Sequence, residues 1–242
     1  MADPHNNDGL TAVILAGGQG TRLRPFTSAL PKPLVPIGDH PIIEILLHRL
    51  KKAGVVSVHI AVNHLAHLIE EVLGDGRRFG MSIRYSREDT PLSTVGPLTL
   101  LDNLPDHFLV CNGDIVTDLD LASFFASHVA SGCPLTVATK TRTDRIDYGV
   151  LEIGANHRVT SFREKPTVTH AVSMGIYCFS KSVLDHVPRG TKFGFDNLML
   201  KLLAEGVPIH TVPYDGYWLD IGRPEDYEQA LANQDRILAL LD

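Results

Sequence analysis

Residues 10–15 read LTAVIL, and a segment rich in glycine, proline and cations, LAGGQGTRLRPFTSALPKPLVP, occupies 15–36 directly behind it. An apolar run of β-branched residues suits a strand buried on both faces of a parallel sheet. The glycines therefore fall where that strand opens into a loop. In open α/β sheets ligands sit outside the carboxyl ends of strands, and glycine there lets backbone N–H groups approach a ligand closely. Two familiar phosphate loops do not fit. A dinucleotide fingerprint needs Gly or Ala three positions after its second glycine, but Leu23 stands there behind Gly18 and Gly20. No Gly-Lys-Ser/Thr closes the segment as a P-loop requires. Arg22, Arg24 and Lys32 are present instead, so cationic side chains must supplement the backbone in an anion cradle.

Downstream, strand and helix patterns alternate. Residues 41–53 have helical spacing and end at Gly54, Val55–Val62 is strand-like, 64–73 is a helix stopped by Gly74, and 81–85 is a short strand. HFLVCNGDIVTD gives a buried strand ending in Asn112, Gly113 and Asp114, before a helix near Leu121–Ser131 and a strand at 134–140. The later segment YGVLEIGANHRVTSFREKP has the pattern of a β-meander, SMGIYCFS of a further strand, and helices are expected near 197–205 and 225–240. The fold class implied is α/β, with a Rossmann-like, mixed, mostly parallel sheet flanked by helices. One domain is expected over 10–242, behind a flexible N-terminal segment at 1–9.

Charge and composition narrow the function. The net charge is −6 and the pI about 6.0, with no Lys/Arg cluster beyond the glycine loop, which argues against nucleic acid as a partner. The polar start, MADPHNNDG, lacks a signal-peptide core, and no apolar run approaches the roughly 20 residues of a membrane span, so a cytoplasmic enzyme is expected. Cys111, Cys133 and Cys178 lack CxxC spacing and read as reduced core residues. His64, His67 and Glu70 share one helix face, but neither the HExxH nor the HxxEH order of zinc sites is present.

The stretch LAGGQGTRLRPFTSALPKPLVPIGDHPII resembles the signature of the sugar-1-phosphate nucleotidylyltransferases. The likeness continues in order through NGD at Asn112, YGV at Tyr148, EKP at Glu164, GIY at Gly175 and WLDIG at Trp218. Members of that family join a nucleoside triphosphate and a sugar 1-phosphate into an NDP-sugar and release pyrophosphate. The resemblance implies that Leu15, Ala16, Gly17 and Gly18 contact base and ribose, and that Gly20, Thr21 and Arg22 hold the triphosphate. Arg22 would stabilise the leaving pyrophosphate and Lys32 would reach the α-phosphate, held stiffly between Pro31 and Pro33. Asp114 and Asp220 are implied as ligands of Mg²⁺. As residues alone, the alternative is that the first simply ends a strand and the second caps a turn, both frequent uses of Asp. On the sugar side the resemblance implies Lys165 on the phosphate, Glu164 and Asn112 on hydroxyls, and close backbone approach at Gly149 and Gly175.

Two departures bear on specificity. Ser173 and Met174 stand where the family commonly has Asn-Ala, and PLSTVGPLTLL replaces a more glycine-rich loop. Its Gly-Pro-Leu at 96–98 is similar to guanylyltransferases acting on mannose-type sugar phosphates. Small residues at Ser93, Thr94 and Gly96 leave a slot for a purine, so GTP and a mannose- or heptose-type 1-phosphate are the expected pair. Uridylyl, cytidylyl or thymidylyl transfer is the alternative. A non-catalytic sensor of the same fold is disfavoured because Arg22, Lys32 and both aspartates are retained, and an NAD(P) oxidoreductase because of Leu23. The hexapeptide repeats of longer relatives are lacking, so no attached acyltransferase is expected, and a homo-oligomer is compatible with the sequence.

Overall fold

The structure is a computed structural model describing residues 9–88 and 90–241, so residues 1–8 of the expected N-terminal segment, Asp89 and Asp242 lie outside the described residues. In chain order it contains β1 (Leu10–Leu15), a two-residue hairpin of β2 (Pro36–Ile37) and β3 (His40–Pro41), α1 (Ile42–Lys52), β4 (Val55–Val62), α2 (Ala66–Leu73) and β5 (Ser82–Arg87). Then come β6 (His107–Asn112), β7 (Ile115–Thr117), α3 (Leu121–Ser131), β8 (Leu135–Arg145), β9 (Val150–Ile153), β10 (Val159–Arg163) and β11 (Thr167–Ser180). The chain closes with α4 (Phe195–Ala204), β12 (Ile209–Pro213), β13 (Trp218–Asp220), α5 (Pro224–Ala232) and α6 (Gln234–Leu238).

Seven strands form one sheet in the order β12-β8-β11-β6-β1-β4-β5. Strand β1 pairs in parallel with β4 on one side and β6 on the other, which explains its unbroken apolar sequence: Ala12, Val13 and Ile14 have no exposed surface. Because the chain goes from β1 outward to β4 and β5, then returns to place β6 on the other side of β1, the carboxyl ends of β1 and β6 flank a topological switch point. Leu15 is in register with Asn112, so the glycine loop and Asn112-Gly113-Asp114 leave the sheet side by side. Only β11 runs antiparallel to its sheet neighbours, β6 and β8.

Three apolar clusters hold the layers. One packs α1, α2 and α3 on one face of the sheet, among them Leu46, Ile69 and Phe124. A second covers the other face with α4 through Leu198 and Leu202. The third joins Leu23 of the glycine loop to Ile42 and Ile45 of α1, Leu219 of β13, and Tyr227 and Ile237 of the last two helices. The loop is thereby anchored to the core at Leu23, while Arg22 and Arg24 on either side of that anchor face solvent. Helix α3 begins at Asp120, whose Oδ1 accepts from the N–H groups of Ala122 (3.0 Å) and Ser123 (3.1 Å), a cap worth about 1 kcal/mol.

Several boundaries differ from the sequence reading for local reasons. Helix α2 starts at Ala66 instead of residue 64 because Leu65 takes a left-handed conformation, with φ of 54°. The C-terminal helix divides at Asn233, with φ of −109° and ψ of 19°. Strands β8 and β11 outrun the sheet as a two-stranded ribbon, paired out to Arg145 and Thr167, and the β9–β10 hairpin caps it. No helix among the described residues is long and apolar enough to cross a membrane.

At the sheet end opposite the switch point, His128 is 1% exposed. Its Nδ1 lies 2.8 Å from Thr136 Oγ1 and its Nε2 3.1 Å from His107 Nδ1, with Ser180 Oγ 3.3 Å away. Burial, then the neighbouring His107 and His210, push its pKa from 6.5 down to about 4. The neutral ring thus supports the fold fully above pH 6.5, and that support is lost as pH falls toward 4. Between pH 7 and pH 5 the loss from this group is about 2 kcal/mol. Urea unfolding of His128→Gln at the two pH values is expected to lack that difference; equal pH slopes in the variant and the parent would contradict the assignment.

Candidate functional site

A cleft of about 380 Å³ opens at the switch point. Its floor is backbone: Leu15, Ala16, Gly17 and Gly18 line it, together with Asn112 and Gly113. Ala16 N–H donates to Ala61 O (2.8 Å) and Gly113 N–H to Leu15 O (3.0 Å), so both loops extend the sheet's hydrogen bonding before diverging. Gly20 then turns the chain with φ of +60°, and a Cβ there would lie 2.9 Å from Thr27 Cγ2. Both the angle and the close approach require glycine. Thr27 Oγ1 locks the turn by donating to Gly20 O at 2.7 Å.

Lys32 sits between two buried prolines, Pro31 and Pro33, in a short 3-10 turn closed by Leu34 N–H to Pro31 O at 2.9 Å. Its ammonium is ion-paired with the Asp114 carboxylate and lies 3.8 Å from Asp220 Oδ1. Those aspartates, 106 positions apart by their numbering, meet because β7 and β13 pair antiparallel with Asp220 opposite Ile115, and Ile221 N–H donates to Asp114 O at 3.1 Å. Burial and the negative Asp114 raise the Asp220 carboxyl pKa, while Lys32 and Arg22 act in the opposite sense. The Arg22 guanidinium completes the group: its Nη2 would be 3.7 Å from a Cβ placed on Gly222. Arg22, Lys32, Asp114 and Asp220, scattered in sequence, thus form one charge centre.

That centre suits a divalent cation. Asp114 Oδ1 is buried and has no hydrogen-bond partner among the described residues, and burial together with the neighbouring Asp114 disfavours the charged form of Asp220 until more positive charge arrives, a need that a hard cation on carboxylate oxygens would meet. No group of three or more His, Cys, Asp or Glu side chains with metal-site geometry exists among the described residues, so two carboxylates would leave most coordination positions to substrate and water. Glu70, on the helix face with His67, is engaged by Arg87 at 2.8 and 2.5 Å.

The opposite wall of the cleft is made by residues after β5. Ser93 and Thr94 line it, Ser93 with φ of 67° and Thr94 with its Oγ1 accepting from Phe195 N–H at 2.8 Å. Gly96 is buried behind that wall: its N–H donates to Phe193 O (2.9 Å), and a Cβ would lie 2.4 Å from Thr191 O. Pro97 takes the place on the cleft surface. The sequence reading missed Glu88. Its carboxylate lines the cleft, Oε2 accepts from Leu92 N–H at 2.6 Å, and Oε1 lies 3.1 Å from where a Gly17 Cβ would be. Burial raises its pKa. The available signal was positional, since Glu88 directly follows β5 at the same sheet edge as the glycine loop.

The residues implied on the sugar side fall into two groups. Asn112 lines the cleft, and Gly175, with φ of +73°, packs so tightly against it that a Cβ would meet Asn112 Nδ2 at 2.6 Å. Gly149 and Glu164 meet at the base of the β9–β10 hairpin, where a Cβ on Gly149 would be 3.2 Å from Glu164 Oε2 and 2.6 Å from the Phe162 ring. Lys165 follows with φ of 43°. This second group is exposed and lies outside the residues that line the cleft. Where Asn-Ala was expected, Ser173 Oγ donates to Tyr177 Oη at 3.0 Å and Met174 is fully buried.

Comparison with known proteins identifies relatives of the chain. The chain is 37% identical to a UTP–glucose-1-phosphate uridylyltransferase of Synechocystis, over 92% of its own length and 62% of the relative's. It is 35% identical to a mannose-1-phosphate guanyltransferase of Schizosaccharomyces pombe, over 90% and 62% respectively. The chain thus spans about three fifths of the curated relatives it matches. Among solved structures, HddC from Yersinia pseudotuberculosis superposes with a TM-score of 0.72 at 28% identity, covering 93% of this chain and 99% of that one. A crystal form of HddC complexed with GMP-PN superposes with a TM-score of 0.70. The sequence model described as "Nucleotidyl transferase" matches residues 11–236, nearly the whole described chain, and the protein belongs to that family.

Proposed function

We propose that the protein transfers a nucleoside monophosphate from a nucleoside triphosphate to a sugar 1-phosphate, giving an NDP-sugar and pyrophosphate. A phosphate oxygen of the sugar 1-phosphate attacks the α-phosphorus, the bond from that phosphorus to the bridging oxygen breaks, and pyrophosphate leaves with the electron pair. The observation that carries this reading is the Lys32–Asp114 pair on the wall of a glycine-lined cleft, with Asp220 3.8 Å from the same ammonium. Two polyanions must meet for this reaction, and two like charges at 4 Å repel by about 4 kcal/mol in an environment of intermediate dielectric. Positioning and charge compensation therefore dominate the chemistry.

The roles proposed are those that the family resemblance implies. The backbone at 15–18 receives base and ribose, Gly20 and Thr21 the triphosphate, and Arg22 the departing pyrophosphate. Lys32 is held in place by Asp114 until phosphate competes for its ammonium. Mg²⁺ held by Asp114 and Asp220 supplies the remaining positive charge when bound. Asn112, Gly149, Glu164, Lys165 and Gly175 take the sugar phosphate. Guanine is the favoured base, supported by the Gly-Pro-Leu at 96–98 and by the Glu88 carboxylate in the cleft, which suits the adjacent N1–H and amino donors of a guanine edge. The favoured acceptor is a mannose- or heptose-type 1-phosphate. A second reading, uridylyl transfer to glucose 1-phosphate, is supported by the 37% identical Synechocystis relative.

Initial rates of pyrophosphate release with GTP, UTP, CTP and dTTP at equal concentration, each against mannose 1-phosphate and glucose 1-phosphate, decide between these readings. GTP is expected to be fastest; a pyrimidine triphosphate in first place would overturn the guanine assignment and leave the reaction class standing. Chelation of divalent ions should abolish turnover, and Asp114→Asn or Asp220→Asn should lower it by the order of 100-fold with the fold intact. Full turnover by either variant at saturating substrate would remove that residue from the metal site. Lys165→Ala should raise the KM for sugar phosphate about tenfold, corresponding to one charge-assisted hydrogen bond. A change confined to the KM for nucleotide would assign Lys165 to the other substrate.

A further inference from the structure

Asp114 and Asp220 are aligned by a ribbon of only three residues on each strand, β7 and β13. A two-stranded pair that short is marginal by itself. Val116 and Leu219 bury one face of it, which selects the face but leaves the position along the strand to other contacts. The hydrogen bond from Ile221 N–H to Asp114 O holds the near end, and a second set of contacts gathers at the far end, about 13 Å from Asp114 along an extended strand. Asp118 Oδ1 accepts from the Tyr214 hydroxyl and from Tyr217 N–H at 2.6 Å, and Asp118 N–H donates to Tyr217 O at 3.2 Å. Thr117 Oγ1 donates to the same Tyr217 carbonyl at 2.9 Å. Asp118 Oδ2 faces Arg236 Nη2 at 3.3 Å, and the Arg236 guanidinium covers the Tyr217 ring 4.5 Å from its centroid. Burial pushes the Asp118 carboxyl pKa up, but the bonds from Tyr214, Tyr217 N–H and Arg236 outweigh it and leave the pKa below the ordinary value.

We propose that Asp118 is a positioning residue: by clamping Tyr214 and Tyr217 to the end of β7, it fixes the register of the β7–β13 ribbon and so holds Asp220 beside Asp114. The side chain is not among those that line the cleft and acts through those two aspartates. The inference rests on the metal role proposed for them.

Mn²⁺ binding in the presence of inorganic pyrophosphate, followed by water-proton relaxation, reads the alignment without turnover and without a choice of base. Asp118→Ala is expected to weaken Mn²⁺ about tenfold and to lower kcat with little change in the KM for sugar phosphate. Asp118→Asn keeps an acceptor oxygen for both donors and should bind Mn²⁺ within twofold of the parent. Tyr214→Phe removes one donor while leaving the ring, and should weaken Mn²⁺ two- to threefold; it stands in if the alanine variant does not fold. Parent-like Mn²⁺ affinity in Asp118→Ala, or in Tyr214→Phe when it is the surrogate, overturns the positioning role, provided that Asp114→Asn does lose Mn²⁺. Unchanged affinity in Asp114→Asn as well would instead remove the metal reading on which the proposal depends.

Discussion

Parallel pairing of β1 with β4 and β6 is the constraint from which the site follows. It buries Ala12, Val13 and Ile14 completely and sets Leu15 against Asn112. Two loops then leave the sheet together at the switch point, one rich in glycine and cations, the other carrying Asp114. The hydrogen bond from Gly113 N–H to Leu15 O joins their first residues, so a shift of β6 against β1 by one position would part Lys32 from Asp114.

The charge centre built on that frame is asymmetric. Lys32 is mostly buried and pinned between prolines, whereas the Asp220 side chain remains 45% exposed and its carboxyl pKa is raised by burial and by Asp114. One ammonium facing two carboxylates leaves a site that attracts further positive charge, while Arg22 and the backbone N–H groups of the glycine loop attract phosphate. An ion and a polyphosphate brought together complement both needs at once. Helices α5 and α6 contribute from behind, through Tyr227 and Ile237 packed on the core that also holds Leu23 and Leu219.

Much of this was readable in the sequence because local signals agreed with the tertiary outcome. LTAVIL is a buried strand, the glycines mark a loop at its carboxyl end, and the ordered downstream matches carried a resemblance that the family assignment bears out. What the sequence hid was long-range. WLD gives no sign that it pairs with IVT more than 100 positions earlier, nor that Asp118 fastens that pair. Gly96 looked like a residue of the base pocket, yet its missing side chain accommodates Thr191 O, a contact with a loop nearly 100 positions away. Glu88 went unnoticed because a lone glutamate after a strand carries no pattern, and only the approach of Gly17 gives it a place in the cleft. Strand ends on the ribbon of β8 and β11 ran past their expected limits because each strand has the other as its partner beyond the sheet.

Phosphorus NMR of the protein mixed with Mg²⁺, GTP and mannose 1-phosphate tests the central claim most directly. The account predicts that GTP and sugar phosphate disappear in equal amounts, with the diphosphate resonances of an NDP-sugar and the single line of pyrophosphate appearing in the same proportion. A set of the other three triphosphates and glucose 1-phosphate covers a different choice of base or sugar. Release of inorganic phosphate with the sugar 1-phosphate left intact, or no change with any pair, would contradict nucleotidyl transfer at this site.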